Sequence, residues 1–143
     1  MGGGSRHLAR QAAVQALYQW DMTQQNRLEI EASFLSDSKL QHSDLEYFQH
    51  LIADIPKQAA DLDAAAQPFL DRDMEKVDPI ERAILRLSVF ELVNHMEIPY
   101  RVVINEGIEL AKTFGSDNSY RFINGILDKM VATVRELEVA AQR

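Results

Sequence analysis

Cysteine is absent from the 143 residues, which excludes disulfides, a thiol nucleophile and any thiolate-bound metal. Nowhere does the chain hold the roughly 18 consecutive apolar residues of a membrane-spanning helix. The N-terminus also lacks the apolar core of a secretory signal, so the expected compartment is the cytoplasm. Only six glycines occur, three of them at positions 2–4, and none builds a loop that would cradle a phosphate. Nucleophile-elbow and paired-carboxylate motifs are missing as well, and neither a catalytic residue nor a cofactor is expected. His7, His42, His50 and His95 are scattered, without the i, i+4 spacing of a zinc-binding helix, so no metal site is expected. Basic residues are the minority, 15 Lys and Arg against 22 Asp and Glu, for a net charge of −7. That balance argues against a protein that coats nucleic acid by bulk charge.

What is present is an ordinary globular composition, 46% hydrophobic and 26% charged. A chain of this length buries roughly 68% of its unfolded surface on folding and needs no covalent staple. The charge is uneven. Residues 1–20 carry Arg6 and Arg10 and no acid, so that segment is +2 and the remainder −9. A polyanion would be met at the N-terminal end.

Residues 1–5, Met-Gly-Gly-Gly-Ser, read as a flexible leader or cloning remnant. From there nearly every segment shows helical periodicity and none alternates like a strand. Over 6–20, Leu8, Ala9, Ala12, Ala13, Ala16, Leu17 and Trp20 fall on one stripe. A short helix is expected around 28–35. Ser43 and Glu46 fit the N-cap and N3 positions of a capping box, opening a helix that carries Phe48, Leu51, Ile52 and Ile55. Pro56 is expected to interrupt it and start a new one, with Ala59, Leu62, Ala66, Phe69 and Leu70 continuing the apolar face. Residues 71–77 read as a linker between two halves, about 6–70 and about 78–137, of a single domain over 6–143.

Asp78, Pro79 and Glu81 occupy N-cap, N1 and N3 of the next helix. Its apolar residues lie on two sides, Ile80, Ala83, Ile84, Leu87 and Phe90 on one and Leu85, Val89 and Leu92 on the other. Such a helix belongs at the centre of a bundle. After Pro99, a helix over 100–114 is expected to bury Val103, Ile104, Ile108, Ala111 and Phe114, with Gly115 as a left-handed C-cap. Residues 116–119 offer N-cap candidates for a last helix ending near Leu137. The expected fold class is all-α, two packed halves of about three helices each.

Three features bear on binding. Opposite the apolar stripe of the first helix lie His7, Gln11, Val14 and Tyr18, flanked by Arg10 and Gln15, with Arg6 at the helix start. Cations, amides and a tyrosine suit phosphates, base edges and base stacking; an ordinary solvated helix face fits the same spacing. On the last helix, Phe122 sits at the edge of the stripe beside Lys129, as peripheral core or as a stacking ring, with Arg121 and Asn124 on the polar face. Gly125 costs a helix about 1 kcal/mol relative to alanine, which close helix packing would explain. The acids Asp71, Asp73, Glu75 and Asp78 lack the glycine and glutamate spacing of a calcium loop. They read as a solvated linker, or as a surface on which a partner docks.

Several blocks, in order along the chain, resemble one family. They are Arg10-Gln11-Ala12-Ala13-Val14-Gln15-Ala16-Leu17-Tyr18, Glu81-Arg82-Ala83-Ile84-Leu85-Arg86-Leu87, Ile104-Asn105-Glu106-Gly107-Ile108-Glu109-Leu110-Ala111-Lys112, Phe114-Gly115, and Arg121-Phe122-Ile123-Asn124-Gly125-Ile126-Leu127-Asp128. Together they resemble the transcription antitermination factor NusB family over about residues 6–135.

The resemblance implies an all-α fold of two three-helix bundles. It implies a non-enzymatic factor that binds the boxA element of nascent RNA with NusE, a small-subunit ribosomal protein, and joins other Nus factors on RNA polymerase in ribosomal RNA transcription. By position, the implied RNA surface comprises Arg6, His7, Arg10, Gln15 and Tyr18 with Asn118, Arg121 and Phe122. The implied NusE surface lies around Glu75, Asp78, Glu81 and Arg82, acidic against a basic partner. Where the family often has a run of arginines, this chain has His7 and Leu8, so its RNA binding alone should be weaker and less salt-dependent. Two other roles go with the fold: the N-terminal domain of a ribosomal RNA cytosine methyltransferase, and a self-associating module whose homodimer covers the RNA face.

Overall fold

The computed structural model describes residues 3–141. In order they form α1 (Gly3–Thr23), α2 (Arg27–Leu35), a 3₁₀ turn (Ser38–His42), α3 (Leu45–Ala66), two further 3₁₀ turns (Gln67–Phe69 and Met74–Lys76), α4 (Pro79–Asn94), α5 (Tyr100–Phe114), α6 (Ser119–Val134) and α7 (Glu136–Ala141). No strand occurs among the described residues. The chain is all-α, as its periodicity predicts. It divides into two compact units, Met1–Gln58 and Ala59–Arg143. The division falls inside α3 and not in the 71–77 stretch, where Met74 and Val77 are buried.

In the first unit, α1 takes in residues 3–5 of the segment read as a leader; Met1 and Gly2 lie outside the described residues. Its buried positions are Ala9, Arg10, Ala12, Ala13, Val14, Ala16 and Leu17, while Leu8 is 40% exposed. The buried arc is therefore wider than the predicted stripe and turned toward Arg10 and Val14. Gln24 ends α1 in the left-handed region, φ 58°, and Asn26 caps α2 by accepting from the Leu28 N–H at 2.8 Å. The cap of α3 is Asp44, whose Oδ1 accepts from the Tyr47 N–H at 3.0 Å. Ser43, the expected cap, instead donates its hydroxyl to the Leu40 carbonyl. One residue of slippage decides this, because both side chains suit the position and only the turn before the helix selects between them. Helix α3 runs unbroken through Pro56. The missing N–H removes one bond of the ladder, and burial of Leu51, Ile52, Ile55 and Leu62 on either side holds the helix together.

In the second unit α4 is the central helix, with Ala83, Ile84, Leu85, Leu87, Val89, Phe90 and Leu92 all buried. Its N-cap is Asp78, accepting from the Ile80 and Glu81 N–H groups, as expected. Helices α5 and α6 pack on it through Val103, Leu110, Ala111, Ile123, Leu127 and Met130. Gly107 permits the approach: a Cβ there would lie 3.0 Å from Ser88 Oγ and 3.1 Å from Leu127 Cδ1. Gly115 is extended, φ −92° and ψ −174°, and not left-handed. It is needed for space, since a Cβ would meet Ser119 at 2.5 Å.

Gly125, for which close packing was the expected reason, has nothing within 4 Å of a Cβ. The last helix stops at Val134 and α7 follows, because Arg135 turns inward. Only 1% exposed, it donates to the carbonyls of Glu91, Leu92, His95 and Ile98. It therefore partners the Leu92 carbonyl in the last turn of α4, shares that of Glu91, and holds the carbonyls of the loop that follows.

Candidate nucleic-acid interface

Two groups of polar and aromatic side chains stand out, one on each unit. The first is built on α1. His7 and Gln11 are hydrogen-bonded through their Nε2 atoms at 3.1 Å, and Gln15 Nε2 donates to the Gln11 carbonyl. Four-residue spacing thus places His7, Gln11 and Gln15 in one row, with Tyr18 half-buried further along the helix. Arg6 and Arg10 gather at Tyr47, in the first turn of α3. The Arg6 guanidinium lies 4.0 Å from the centroid of that ring and the Arg10 guanidinium 5.6 Å. Arg6 Nε is also 3.8 Å from Asp44 Oδ2.

The structure separates the two arginines by exposure. Arg6 keeps 39% of its side chain exposed, whereas Arg10 is 3% exposed and does not stand on an open helix face. Val14, expected beside it on the polar side, is fully buried. A pattern on one helix cannot show this, since the cover comes from other elements. Tyr47 and Asp44 were not among the sequence candidates, and their relation to Arg6 spans about 40 positions.

The second group surrounds the start of α6. Asn118 and Arg121 are exposed. The Asn118 carbonyl accepts from the Arg121 and Phe122 N–H groups at 3.2 and 3.3 Å. Arg121 Nε donates to the Tyr120 hydroxyl at 3.0 Å, and Lys112 Nζ lies 5.3 Å from the Tyr120 ring. Phe122 is half-buried, with the Arg72 guanidinium 5.4 Å from its ring centroid. Arg72 is in turn held by Asp71 in a two-pronged bond of 2.8 and 3.1 Å, which keeps the Asp71 carboxyl below the usual carboxylate range. Arg72, Lys112 and Tyr120 join a site in which the sequence singled out only Asn118, Arg121 and Phe122. Cations resting on aromatic rings form a surface suited to phosphates and unstacked bases.

The four residues expected to face a protein partner are placed differently from one another. Glu75 and Asp78 are exposed, although Asp78 is committed to capping α4. Glu81 is half-buried and accepts from the Ser119 hydroxyl at 2.7 Å. Arg82 is no surface residue: it is 9% exposed and donates to the carbonyls of Met74, Glu75 and Val77. Three converging carbonyls draw the cation inward and hold the 3₁₀ turn that carries Glu75. No group of three or more His, Asp or Glu side chains suited to a metal occurs among the described residues.

The model of the NusB family matches residues 7–132. The chain belongs to the NusB family. It is 49% identical over 136 residues to the transcription antitermination protein NusB of Pseudomonas fluorescens, covering 95% of this chain and 82% of that protein. Its identity to the NusB of Pseudoalteromonas atlantica is 45% over 140 residues, covering 98% and 100%. Among solved structures, T. maritima NusB superimposes with a TM-score of 0.78 at 26% identity, over 94% of this chain and 96% of that one. A crystal structure of the antitermination factors NusB and NusE in complex with dsRNA gives a TM-score of 0.81 at 24% identity, over 90% and 97%, and shows the same fold. The blocks that resemble the NusB family occupy α1, α4, α5 and α6, the helices that build both groups described above.

Proposed function

We propose that the chain is a transcription antitermination factor that binds boxA RNA together with NusE and joins the Nus factors on RNA polymerase to support ribosomal RNA transcription. The observation that carries this reading is the match to proteins named transcription antitermination protein NusB over nearly the whole chain. The NusB–NusE–dsRNA complex of the same fold supports the two partners. The protein acts in the cytoplasm by binding alone. Among the described residues no helix is long and apolar enough to cross a membrane.

The residues divide by role. Arg6 and Arg121 contact phosphates, which positions the RNA without reading it. His7, Gln15 and Asn118 reach base edges, and Tyr18 and Phe122 offer rings for stacking. Arg10, being buried, lends positive potential more than a direct contact. Toward NusE, Glu75, Asp78 and Glu81 present the acidic surface. Arg82 acts through the turn it holds.

Fluorescence anisotropy of labelled boxA RNA, titrated with the protein alone and with saturating NusE, tests the reading beside a scrambled RNA. Selective binding that tightens with NusE is expected. Equal, weak binding of both RNAs in both conditions would remove the function and leave the fold.

A further inference from the structure

Arg6 is the more exposed cation of the α1 group, yet it faces an acid. Its Nε lies 3.8 Å from Asp44 Oδ2, too long for a hydrogen bond and close enough for an ion pair. Among the described residues its guanidinium makes no hydrogen bond, so the N–H fork that matches a phosphate is unspent. Its position is set by the Tyr47 ring, 4.0 Å away. Asp44 is anchored more firmly. Its Oδ1 accepts from the Tyr47 N–H at 3.0 Å, and its own N–H donates to the Ser5 carbonyl at 3.1 Å. With its backbone tied to Ser5 and one carboxylate oxygen on the Tyr47 N–H, the side chain is restrained beside Arg6 when another anion arrives.

We propose that Asp44 sets the strength of the RNA contact at Arg6, acting as a fixed internal rival to the phosphate. This rests on the RNA-binding reading and deepens it. A phosphate that engages Arg6 must share the cation with an immobile carboxylate and bear its repulsion. The contact is thereby kept weak, and binding depends on the remaining contacts being made together. Because phosphate contacts are blind to sequence, Asp44 lowers affinity for boxA and scrambled RNA by the same factor.

The decisive variant is Asp44→Asn. Asparagine caps a helix about as well as aspartate, so the Tyr47 N–H keeps its acceptor while the charge is lost; an unchanged thermal midpoint verifies this. Removing a partly exposed ion-pair partner should tighten both RNAs about three- to fivefold. Glu46→Gln removes the same charge from the same turn of α3, where Glu46 is exposed, and should change little. In an Arg6→Ala background the gain from Asp44→Asn should shrink to the small part owed to direct repulsion, since the coupling acts chiefly through Arg6.

No tightening by Asp44→Asn, equal tightening by Glu46→Gln, or an undiminished gain without Arg6 would each overturn the inference. If Arg6→Ala weakens binding while Asp44→Asn does nothing, the RNA-binding reading survives and only the inference falls. If the wild-type protein does not bind RNA, both fall together.

Discussion

Two glycines at the residue scale illustrate opposite effects of the same side chain. Gly107 is enclosed, with Ser88, Leu127 and Ile123 all within 3.3 Å of where a Cβ would be. Gly107→Ala is expected to destabilise the fold by about 1–3 kcal/mol through overpacking. Gly125 lies in open space within α6, so Gly125→Ala should stabilise it by up to about 1 kcal/mol. Urea unfolding midpoints of the two variants should move in opposite directions. A loss of stability at Gly125 would mean that a packing partner had been overlooked. For Phe122, half-buried beside Arg72, replacement by alanine should weaken RNA binding by about 1–3 kcal/mol if a base stacks on the ring. Unchanged anisotropy titrations would leave the ring as edge of core only.

Caps and connections decide matters at the element scale. Arg135 and Glu138 together serve two helix ends: the guanidinium satisfies carbonyls at the end of α4, and Glu138 accepts from the Tyr100 N–H at the start of α5 at 2.9 Å. Burial pushes the Glu138 carboxyl up, but the Tyr100 N–H and the Arg135 guanidinium outweigh it and hold the group below the ordinary glutamate range. A carboxyl depressed in the folded state stabilises above its unfolded pKa and loses that contribution as pH falls through the folded value. The stability of the wild-type protein should therefore decline more steeply than that of Glu138→Gln as pH falls through and below the ordinary glutamate range. Parallel curves in acid titrations of the two would show that this carboxylate does not matter. The α3 cap makes a similar test of position. Asp44→Ala should cost about 1 kcal/mol and Ser43→Ala much less, the reverse of what the capping-box pattern implies.

For the whole molecule, the net charge of −7 opposes RNA, so under the proposed reading direct phosphate contacts fall to a few cations, Arg6, Arg121 and Lys112. With about three phosphate contacts to a single strand, the slope of log affinity against log salt should be about −2. A much steeper slope would mean that more cations take part than those named. NusE should raise affinity more than any single substitution lowers it, because the chain alone has few contacts to spend.

Much of the second unit was legible beforehand. The two-sided pattern of α4 and the Asp78 cap depend on residues within a turn or two of each other, where spacing and side-chain chemistry suffice. The α1 face was legible only in part. His7, Gln11 and Gln15 form the expected polar row, but Arg10 and Val14 are covered, and no single-helix pattern contains the covering element. The burial of Arg82 and Arg135 was not legible, for a related reason. Each is a charged side chain drawn inward by backbone carbonyls, and a carbonyl is present at every position, so it leaves no mark in the sequence.

The sequence by itself determined the all-α class, the order and approximate ends of the main helices, the uneven charge and the family. All of these follow from local periodicity, composition and motif order. The tertiary structure alone decided which arginine stays open to a ligand, that Tyr47 and Asp44 attend Arg6, and that Gly107 rather than Gly125 serves close packing. Such outcomes depend on groups tens of residues apart meeting within a few ångströms, and burial is a property of what surrounds a residue.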